Sequence, residues 1–170
     1  MCASIALEQL QLDIDDVALR LVRLAAERGV TLCCAESLTA GMVSSNIASV
    51  PGASAVLLGG AVTYTNQIKE HLLSVSEKTI REVTEVSFEV ARQMASGARS
   101  LFSSDYAVSL TGYAGPGGGT DTNPVGTVYI GLCSPQTVSS KRFVFSGNRQ
   151  EVRFRACLEA LRMLVDVLER

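Results

Sequence analysis

The stretch over residues 30–41, VTLCCAESLTAG, constrains the fold most strongly, because an apolar run ends abruptly in polar residues ahead of a helical pattern. The run over residues 30–35 predicts a buried strand. Residues 41–50 predict a helix that Pro51 and Gly52 terminate. A buried strand followed directly by a helix indicates an α/β fold.

Ser37 stands at the junction of this strand and helix, and two roles are open to it. Serine is a favoured helix N-cap, and on this feature alone capping has the stronger claim. The alternative is a nucleophile, because unpaired N–H groups at a helix N-terminus can hold an oxyanion or a phosphate beside the hydroxyl. The junction therefore leaves capping and catalysis open.

The rest of the chain alternates between helical and extended patterns. Helices are predicted at residues 10–25, where Gly29 follows as a stop, at 87–102 with Ser87 as cap, around Lys69, and from Asn148 onward with a capping-box-like start; further strands are predicted at 57–64, 106–110, 127–132 and 142–145. Strands and helices that alternate early and strands that pair late predict a single α/β domain over residues 1–170. We expect a three-layer sandwich with a mixed sheet flanked by helices.

Composition and charge exclude several classes of protein. Hydrophobic residues make up 47% of the chain and charged residues 19%, which excludes a disordered chain. The net charge of −2 gives no electrostatic footprint for nucleic acid, and the one basic cluster, Arg149, Arg153 and Arg155, suits only a small anion. With no leader pattern and no apolar run of about 18 residues, we expect a cytoplasmic protein that binds neither nucleic acid nor membrane.

The cysteine pattern argues against a metal centre. The five cysteines, Cys2, Cys33, Cys34, Cys133 and Cys157, contain no C-x-x-C pair and accompany a single histidine. Such a set is poor in metal-ligand spacing. We expect buried, reduced thiols and no bound metal.

Residues 111–126, TGYAGPGGGTDTNPVG, form a glycine-rich segment that cannot be regular structure. Glycine lets backbone N–H groups approach a ligand closely, so such a loop can cradle a phosphate, a ribose or a carbonyl oxygen. Its glycines at 112, 115, 117, 118 and 119 fit neither a P-loop nor G-x-G-x-x-G. A ligand-binding loop and a mobile surface loop are about equally supported.

Lys69 and Tyr64 are candidate catalytic residues only in combination with Ser37. A lysine desolvated beside a serine can have its pKa lowered enough to accept the serine proton, as histidine does in the better-known triads. A lysine on a helix is more often simply solvated. A Ser–His hydrolase would have to use His71, which lies on a polar segment and is expected at the surface.

Six motifs taken together resemble the CinA C-terminal domain family. They are AESLTAG at 35–41, VPGAS at 50–54, GGAVTYTNQIK at 59–69, LTGYAGPGGGT at 110–120, PVGTVYIG at 124–131 and GNRQEVR at 147–153. The match covers nearly the whole chain, and six motifs in the same order are specific although each alone is modest. Active members of that family are nicotinamide-nucleotide amidohydrolases.

The resemblance implies hydrolysis of nicotinamide mononucleotide to nicotinate mononucleotide and ammonia, without metal or organic cofactor. Carried over by position, Ser37 is the nucleophile, Lys69 is the base, and Tyr64 orders Lys69 or donates to the leaving group. We expect N–H groups near Ala40 and Gly41 to hold the oxyanion, although Ala40 stands where many relatives have glycine. The expected substrate-binding residues are Thr39, Ala40, Gly41, Thr111, Gly112, Gly115, Gly117, Gly118 and Arg149, with the glycine-rich loop and Arg149 at the phosphate.

The same resemblance implies a small pyridine nucleotide as the binding partner, and we expect a homo-oligomer. Many relatives carry an additional N-terminal molybdopterin-binding-like domain, and nothing in this chain corresponds to it, so we expect a stand-alone domain. The alternative is a catalytically silent nucleotide-binding or regulatory module of the same fold. A more distant alternative, a Gly-loop phosphotransferase, needs an acidic metal site that the sequence does not display.

Overall fold

Helices and strands alternate in the first part of the chain, and consecutive helices and then consecutive strands follow before a final helix. A computed structural model describes the backbone of residues 2–170 and the side chains of residues 7–170. Its elements are α1 (Cys2–Arg28), β1 (Leu32–Glu36), α2 (Met42–Ala48), β2 (Leu57–Val62), α3 (Asn66–Leu73), α4 (Glu77–Val83), α5 (Phe88–Phe102), β3 (Tyr106–Gly112), β4 (Thr127–Cys133), β5 (Val138–Val144) and α6 (Arg149–Glu169), with a 3-10 turn at Ala53–Ala55. No helix described here has the length and hydropathy needed to cross a bilayer.

The five strands form one mixed sheet in the order β2-β1-β3-β4-β5. β1 pairs in parallel with both β2 and β3, whereas β3, β4 and β5 are successively antiparallel. Helices α1, α2 and α6 pack over one face of the sheet, and α3 and α5 pack over the other. The predicted three-layer α/β sandwich with a mixed sheet is therefore confirmed.

Helix α1 begins at Cys2, before the predicted start at residue 10. Two further elements, which lack a clear apolar pattern, also differ from the sequence prediction. Helix α4 was not predicted, and none of its residues is buried, so it carries no hydrophobic stripe. Strand β5 begins at Val138, four residues before the predicted start at Arg142, because most of its side chains are exposed at the sheet edge. By contrast, the predicted capping box of the last helix is present, with Asn148 and Glu151 bonded reciprocally.

A buried carboxylate joins the end of β1 to the start of α2. Glu36 is 1% exposed, and its carboxylate accepts hydrogen bonds from the amides of Gly41 (2.9 Å), Val43 (3.1 Å) and Ser44 (2.9 Å) and from the Ser44 hydroxyl (2.8 Å). The first amides of an α-helix have no partner within the helix, and its dipole favours a negative charge there. Glu36 therefore caps α2, and the interpretation of Ser37 as the cap is wrong.

A second carboxylate fixes the pairing of β1 with β3. Asp105 accepts hydrogen bonds from the Thr31 amide (2.8 Å) and hydroxyl (2.9 Å), and these bonds lower its pKa. Beyond this clamp the register runs from Leu32 opposite Tyr106 along the whole of β1. The Ser37 amide then donates to the Leu110 carbonyl at 3.0 Å, so the backbone of Ser37 is held at the end of β3.

The capping role of Glu36 predicts a large effect of Glu36→Gln on stability. The amide side chain keeps one acceptor oxygen but turns an NH₂ group toward backbone N–H donors, which leaves buried donors unsatisfied. We expect the free energy of unfolding, measured by urea denaturation, to fall by at least about 2 kcal/mol. Glu77→Gln is the matched control, because Glu77 lies in the exposed first turn of α4 and pairs with Arg81. It should cost less than about 1 kcal/mol, and equal losses for the two variants would contradict the cap.

Candidate active site

A cavity of about 170 Å³ lies at the carboxyl ends of β1, β2 and β3, where open α/β sheets commonly bind ligands. It is lined by Ser37, Leu38, Tyr64, Lys69, Glu85, Val86, Thr111, Gly112, Tyr113, Ala114 and Arg149. Sites for drug-sized ligands commonly measure about 300 to 1,000 Å³, so the interior here suits a single ring with the rest of a ligand outside. A larger groove of about 690 Å³ lies mainly between α3 and α5, but it contains neither Ser37 nor Lys69.

The centre of the cavity is a contact between Ser37 and Lys69. Lys69 projects from α3, is 1% exposed, and places its Nζ atom 3.5 Å from the Ser37 Oγ. Burial lowers the pKa of Lys69 from its ordinary 10.5, and the negative charge of Glu85 opposes part of that shift. A neutral amine beside a serine hydroxyl can accept its proton, so the pair has the composition of a nucleophile and base.

Helix α3 carries Lys69 to this position through a local cap. The Thr65 hydroxyl accepts a hydrogen bond from the Ile68 amide, and the Lys69 amide donates to the Thr65 carbonyl, which together begin the helix directly after β2. The Thr63 amide donates to the Glu36 carbonyl at 2.8 Å, so the chain leaving β2 stays against the end of β1. The short path from β2 to α3 therefore brings Lys69 back over Ser37.

Tyr64 and Arg149 form the outer part of the cavity. The Arg149 guanidinium donates to the Tyr64 hydroxyl at 3.0 Å and to the Gly115 carbonyl at 2.8 Å. Tyr64 is 55% exposed. The structure thus pairs the Tyr64 hydroxyl with Arg149 rather than with Lys69, and it leaves the guanidinium near solvent at the mouth.

Thr111 and Gly112 also line the cavity, as expected from the motif before the glycine-rich loop. Thr111 is 1% exposed, and its hydroxyl donates to the Glu85 carbonyl at 2.7 Å. The only hydroxyl proton of Thr111 is therefore engaged in holding the segment between α4 and α5. Gly112 packs against β4 so closely that a Cβ atom would lie 2.5 Å from the Thr127 carbonyl oxygen.

The turn that follows Ser37 does not supply the expected oxyanion donors. The Ala40 amide donates to the Ser37 carbonyl at 3.1 Å, and the Gly41 amide is taken by the Glu36 carboxylate. Ala40 and Gly41 have φ angles of 52° and 95°, which shape the reversal into α2. Thr39 is fully buried and, like these two residues, does not line the cavity. The prediction of oxyanion donors at Ala40 and Gly41 is wrong because both amides already have acceptors.

The glycine-rich loop contributes less to the cavity than the sequence suggested. Gly115 reaches it only through the carbonyl that accepts from Arg149, and Gly117 and Gly118 are exposed and outside the lining. Of the basic cluster, Arg149 alone lines the cavity. Arg153 instead donates to the carbonyls of Leu38 (2.9 Å) and Thr39 (2.8 Å) and braces the turn.

Five cavity residues escaped sequence reasoning: Leu38, Glu85, Val86, Tyr113 and Ala114. Leu38 and Tyr113 were within motifs already singled out, and each directly follows a residue that was assigned to the site. Glu85 gave no signal, because it belongs to a polar connection between two helices and reaches the cavity only through tertiary packing.

The remaining titratable candidates lie elsewhere. His71 is exposed and does not line the cavity, as predicted. The thiols of Cys33, Cys34, Cys133 and Cys157 are buried and unpaired, and burial raises the pKa of Cys33 to about 11; the Cys2 side chain lies outside the described residues. Among residues 7–170 no three His, Cys, Asp or Glu side chains come together as metal ligands.

Comparison with known proteins agrees with the arrangement of these elements. A competence/damage inducible protein CihA from Agrobacterium tumefaciens superposes with a TM-score of 0.89 at 34% identity, over 93% of this chain and 96% of that one. A CinA superfamily protein from Klebsiella pneumoniae superposes equally well at 29% identity, over 92% of this chain and 98% of that one.

Curated relatives match over most of this chain but only part of their own length. A CinA-like protein from Geobacter sp. (strain M21) is 47% identical over 92% of this chain and 37% of the relative, and one from Thermotoga neapolitana is 46% identical over 84% and 35%. The chain thus spans about a third of these relatives. The profile of the CinA C-terminal domain matches residues 14–168, and the chain therefore belongs to the CinA C-terminal domain family.

Proposed function

We propose that this domain hydrolyses the carboxamide of nicotinamide mononucleotide to nicotinate mononucleotide and ammonia. The observation that carries the proposal is the buried contact of 3.5 Å between the Ser37 hydroxyl and the Lys69 amine, inside a cavity of about 170 Å³. Membership of the family supports the same reaction class, and the motif resemblance supplies the substrate.

In the first step Ser37 Oγ attacks the carboxamide carbon while Lys69 Nζ takes its proton. The tetrahedral intermediate collapses as Lys69 returns that proton to the nitrogen, and ammonia leaves an ester on Ser37. Water then attacks the ester with Lys69 again as the base, which releases the acid and regenerates the serine. Lys69 thus accepts one proton and then donates it in each half of the reaction.

In this proposal the Leu38 amide donates the hydrogen bond that stabilises the oxyanion. Leu38 follows the nucleophile and lines the cavity, and within residues 2–170 its N–H group makes no hydrogen bond. A backbone donor directly after a nucleophile is a common half of an oxyanion hole. Arg153 holds the Leu38 carbonyl at 2.9 Å, which fixes the peptide that follows the donor.

The mouth of the cavity suits the phosphate of the nucleotide. The amides of Gln150 and Glu151 at the start of α6 are already bonded to Asn148, so the guanidinium of Arg149 is the available phosphate donor. With the ring beside Ser37, the ribose and phosphate extend past Tyr64 toward Arg149. A role in pyridine nucleotide metabolism, a cytoplasmic location and a homo-oligomeric assembly stay predictions that accompany this function.

Ser37→Ala should abolish ammonia release and leave stability nearly unchanged, because Glu36 rather than Ser37 caps α2. Ammonia release from nicotinamide mononucleotide and urea denaturation measure the two effects. Ser45→Ala, on the exposed side of the same helix, is the matched control and should keep full activity. If folded Ser37→Ala protein releases ammonia at the wild-type rate, Ser37 is not the nucleophile. If the wild-type protein releases none, the silent binding module takes the place of the enzyme.

The pH dependence of kcat/KM should follow the protonation of Lys69. A base works only when neutral, and burial lowers its pKa below 10.5, so activity should rise with pH with a midpoint below that value. Lys69→Met should remove this rise and lower kcat by on the order of 10²- to 10⁴-fold with little change in KM. Lys78→Met, on exposed α4, should behave as wild type. A pure KM effect for Lys69→Met would make the residue a binding group.

Arg149 should distinguish substrates by their phosphate. A charge-assisted contact of roughly 1.5 to 3 kcal/mol predicts that kcat/KM for nicotinamide riboside is lower than for the mononucleotide by on the order of 10 to 150-fold. Arg149→Ala should cost the mononucleotide a similar factor and leave the riboside unchanged, whereas Arg162→Ala on the same helix should change neither. Equal losses for both substrates would assign Arg149 a structural role.

A further inference from the structure

Glu85 lines the same cavity as Ser37 and Lys69 but takes no part in the proposed chemistry. Its side chain is half-buried, and between residues 7 and 170 its carboxylate makes no hydrogen bond or ion pair. It nevertheless lies near enough to both Lys69 and Tyr113 for its negative charge to act on the pKa of each in the upward direction. An unpaired carboxylate inside a pocket is available to a ligand that carries positive charge.

Hydrogen bonds to the backbone hold Glu85 at the cavity, so its position does not depend on a partner for its side chain. Its carbonyl accepts from the Thr111 hydroxyl at 2.7 Å, and the next carbonyl, that of Val86, accepts from the Asn123 amide group at 3.3 Å. Thr84, directly before it, has φ at 68°, a rare conformation for a β-branched residue that marks a constrained segment. The connection between α4 and α5 is thus pinned to β3 and to the glycine-rich loop.

Tyr113 places an aromatic ring in the same cavity. It packs against the cluster of Val86, Ala91 and Tyr129, and burial, followed by the charge of Glu85, raises its pKa, so its hydroxyl stays neutral. The face of an aromatic ring attracts cations through its quadrupole. A carboxylate and an aromatic ring that share one small cavity form a suitable environment for a flat, positively charged ring.

We propose that Glu85 is a specificity-determining residue that makes the pocket prefer a cationic pyridinium ring over a neutral ring of the same shape. The inference rests on the proposed function, because the pyridinium ring is that of the proposed substrate. It also assigns opposite charges to the two ends of one ligand: the ring faces Glu85 within the cavity, and the phosphate faces Arg149 at the mouth. The pocket is then complementary to a zwitterion rather than to an anion.

Binding in the Ser37→Ala background tests this without turnover. The two probes are nicotinamide mononucleotide and the C-ribotide of benzamide, which has the same carboxamide, ribose and phosphate on a neutral ring. By titration calorimetry we expect Ser37→Ala protein to bind the cationic ring more tightly by on the order of 10-fold. Adding Glu85→Gln should remove most of that preference by weakening the mononucleotide alone.

Two comparisons keep the outcome unambiguous. Glu82→Gln removes the same charge from exposed α4, where Glu82 pairs with Lys78, and should leave both affinities unchanged. Equal affinities for the two probes before Glu85 is changed, or equal weakening of both by Glu85→Gln, would overturn the proposal. The first of these results is independent of whether the Glu85 variant folds.

Failure of the proposed function is visible separately. If wild-type protein releases no ammonia but the cation preference is present and depends on Glu85, the amidohydrolase is wrong and the charge-selective site stands. If ammonia is released without any ring-charge preference, the enzyme stands and the role of Glu85 is wrong.

Discussion

The buried carboxylate of Glu36 is the interaction on which the geometry of the site depends. It replaces the missing partners of the first α2 amides, and it does so from the strand rather than from the helix. Side chains alternate along a strand, so fixing Glu36 toward α2 turns Ser37 to the opposite face. Cys34, two residues earlier, lies on the same face of the sheet as Glu36. Burial raises the pKa of Cys34 most, and the nearby charge of Glu36 raises it further, which indicates this shared face. The opposite face is the one over which α3 brings Lys69.

The cavity separates two electrostatic environments over a short distance. Inside, the Lys69 amine lies 3.5 Å from the Ser37 hydroxyl, and its burial favours the neutral amine. Outside, the exposed Arg149 guanidinium donates to the Tyr64 hydroxyl and to the Gly115 carbonyl. A group that must gain and lose a proton and a group that must stay charged thus occupy the two regions that suit them.

Most of the fold could be predicted from the sequence because its main elements carry strong local signals. Periodic apolar residues mark α1, α5 and α6, and an apolar run ending in polar residues marks β1. The cap of α2 could not be predicted in this way, since capping rules examine the residues at the helix start and Glu36 lies five positions before Gly41. The same long reach occupies the Gly41 amide, which was one of the two expected oxyanion donors.

The candidate site was predictable to a different extent. The motif resemblance brought Ser37, Lys69, Tyr64 and Thr111 together, and the structure places all four around one cavity. Local pattern alone could not do so, because Lys69 and Ser37 are 32 residues apart and meet only through the crossover from β2 to α3. The position of Glu85 at the cavity depends on how the polar connection between α4 and α5 packs against β3. No sequence pattern predicts that packing.

The interior position of β1 in the sheet also bears on how the chain folds during synthesis. Its first neighbour, β2, follows soon after, but the clamp to its second neighbour joins Thr31 to a residue 74 positions later. Until β3 leaves the ribosome, one edge of β1, whose residues are all buried in the folded chain, has no partner, and contacts between residues so far apart in sequence form slowly. The nascent chain therefore has an unpaired, aggregation-prone strand edge for a long interval. Chaperone binding at that edge would protect the chain until the sheet is complete.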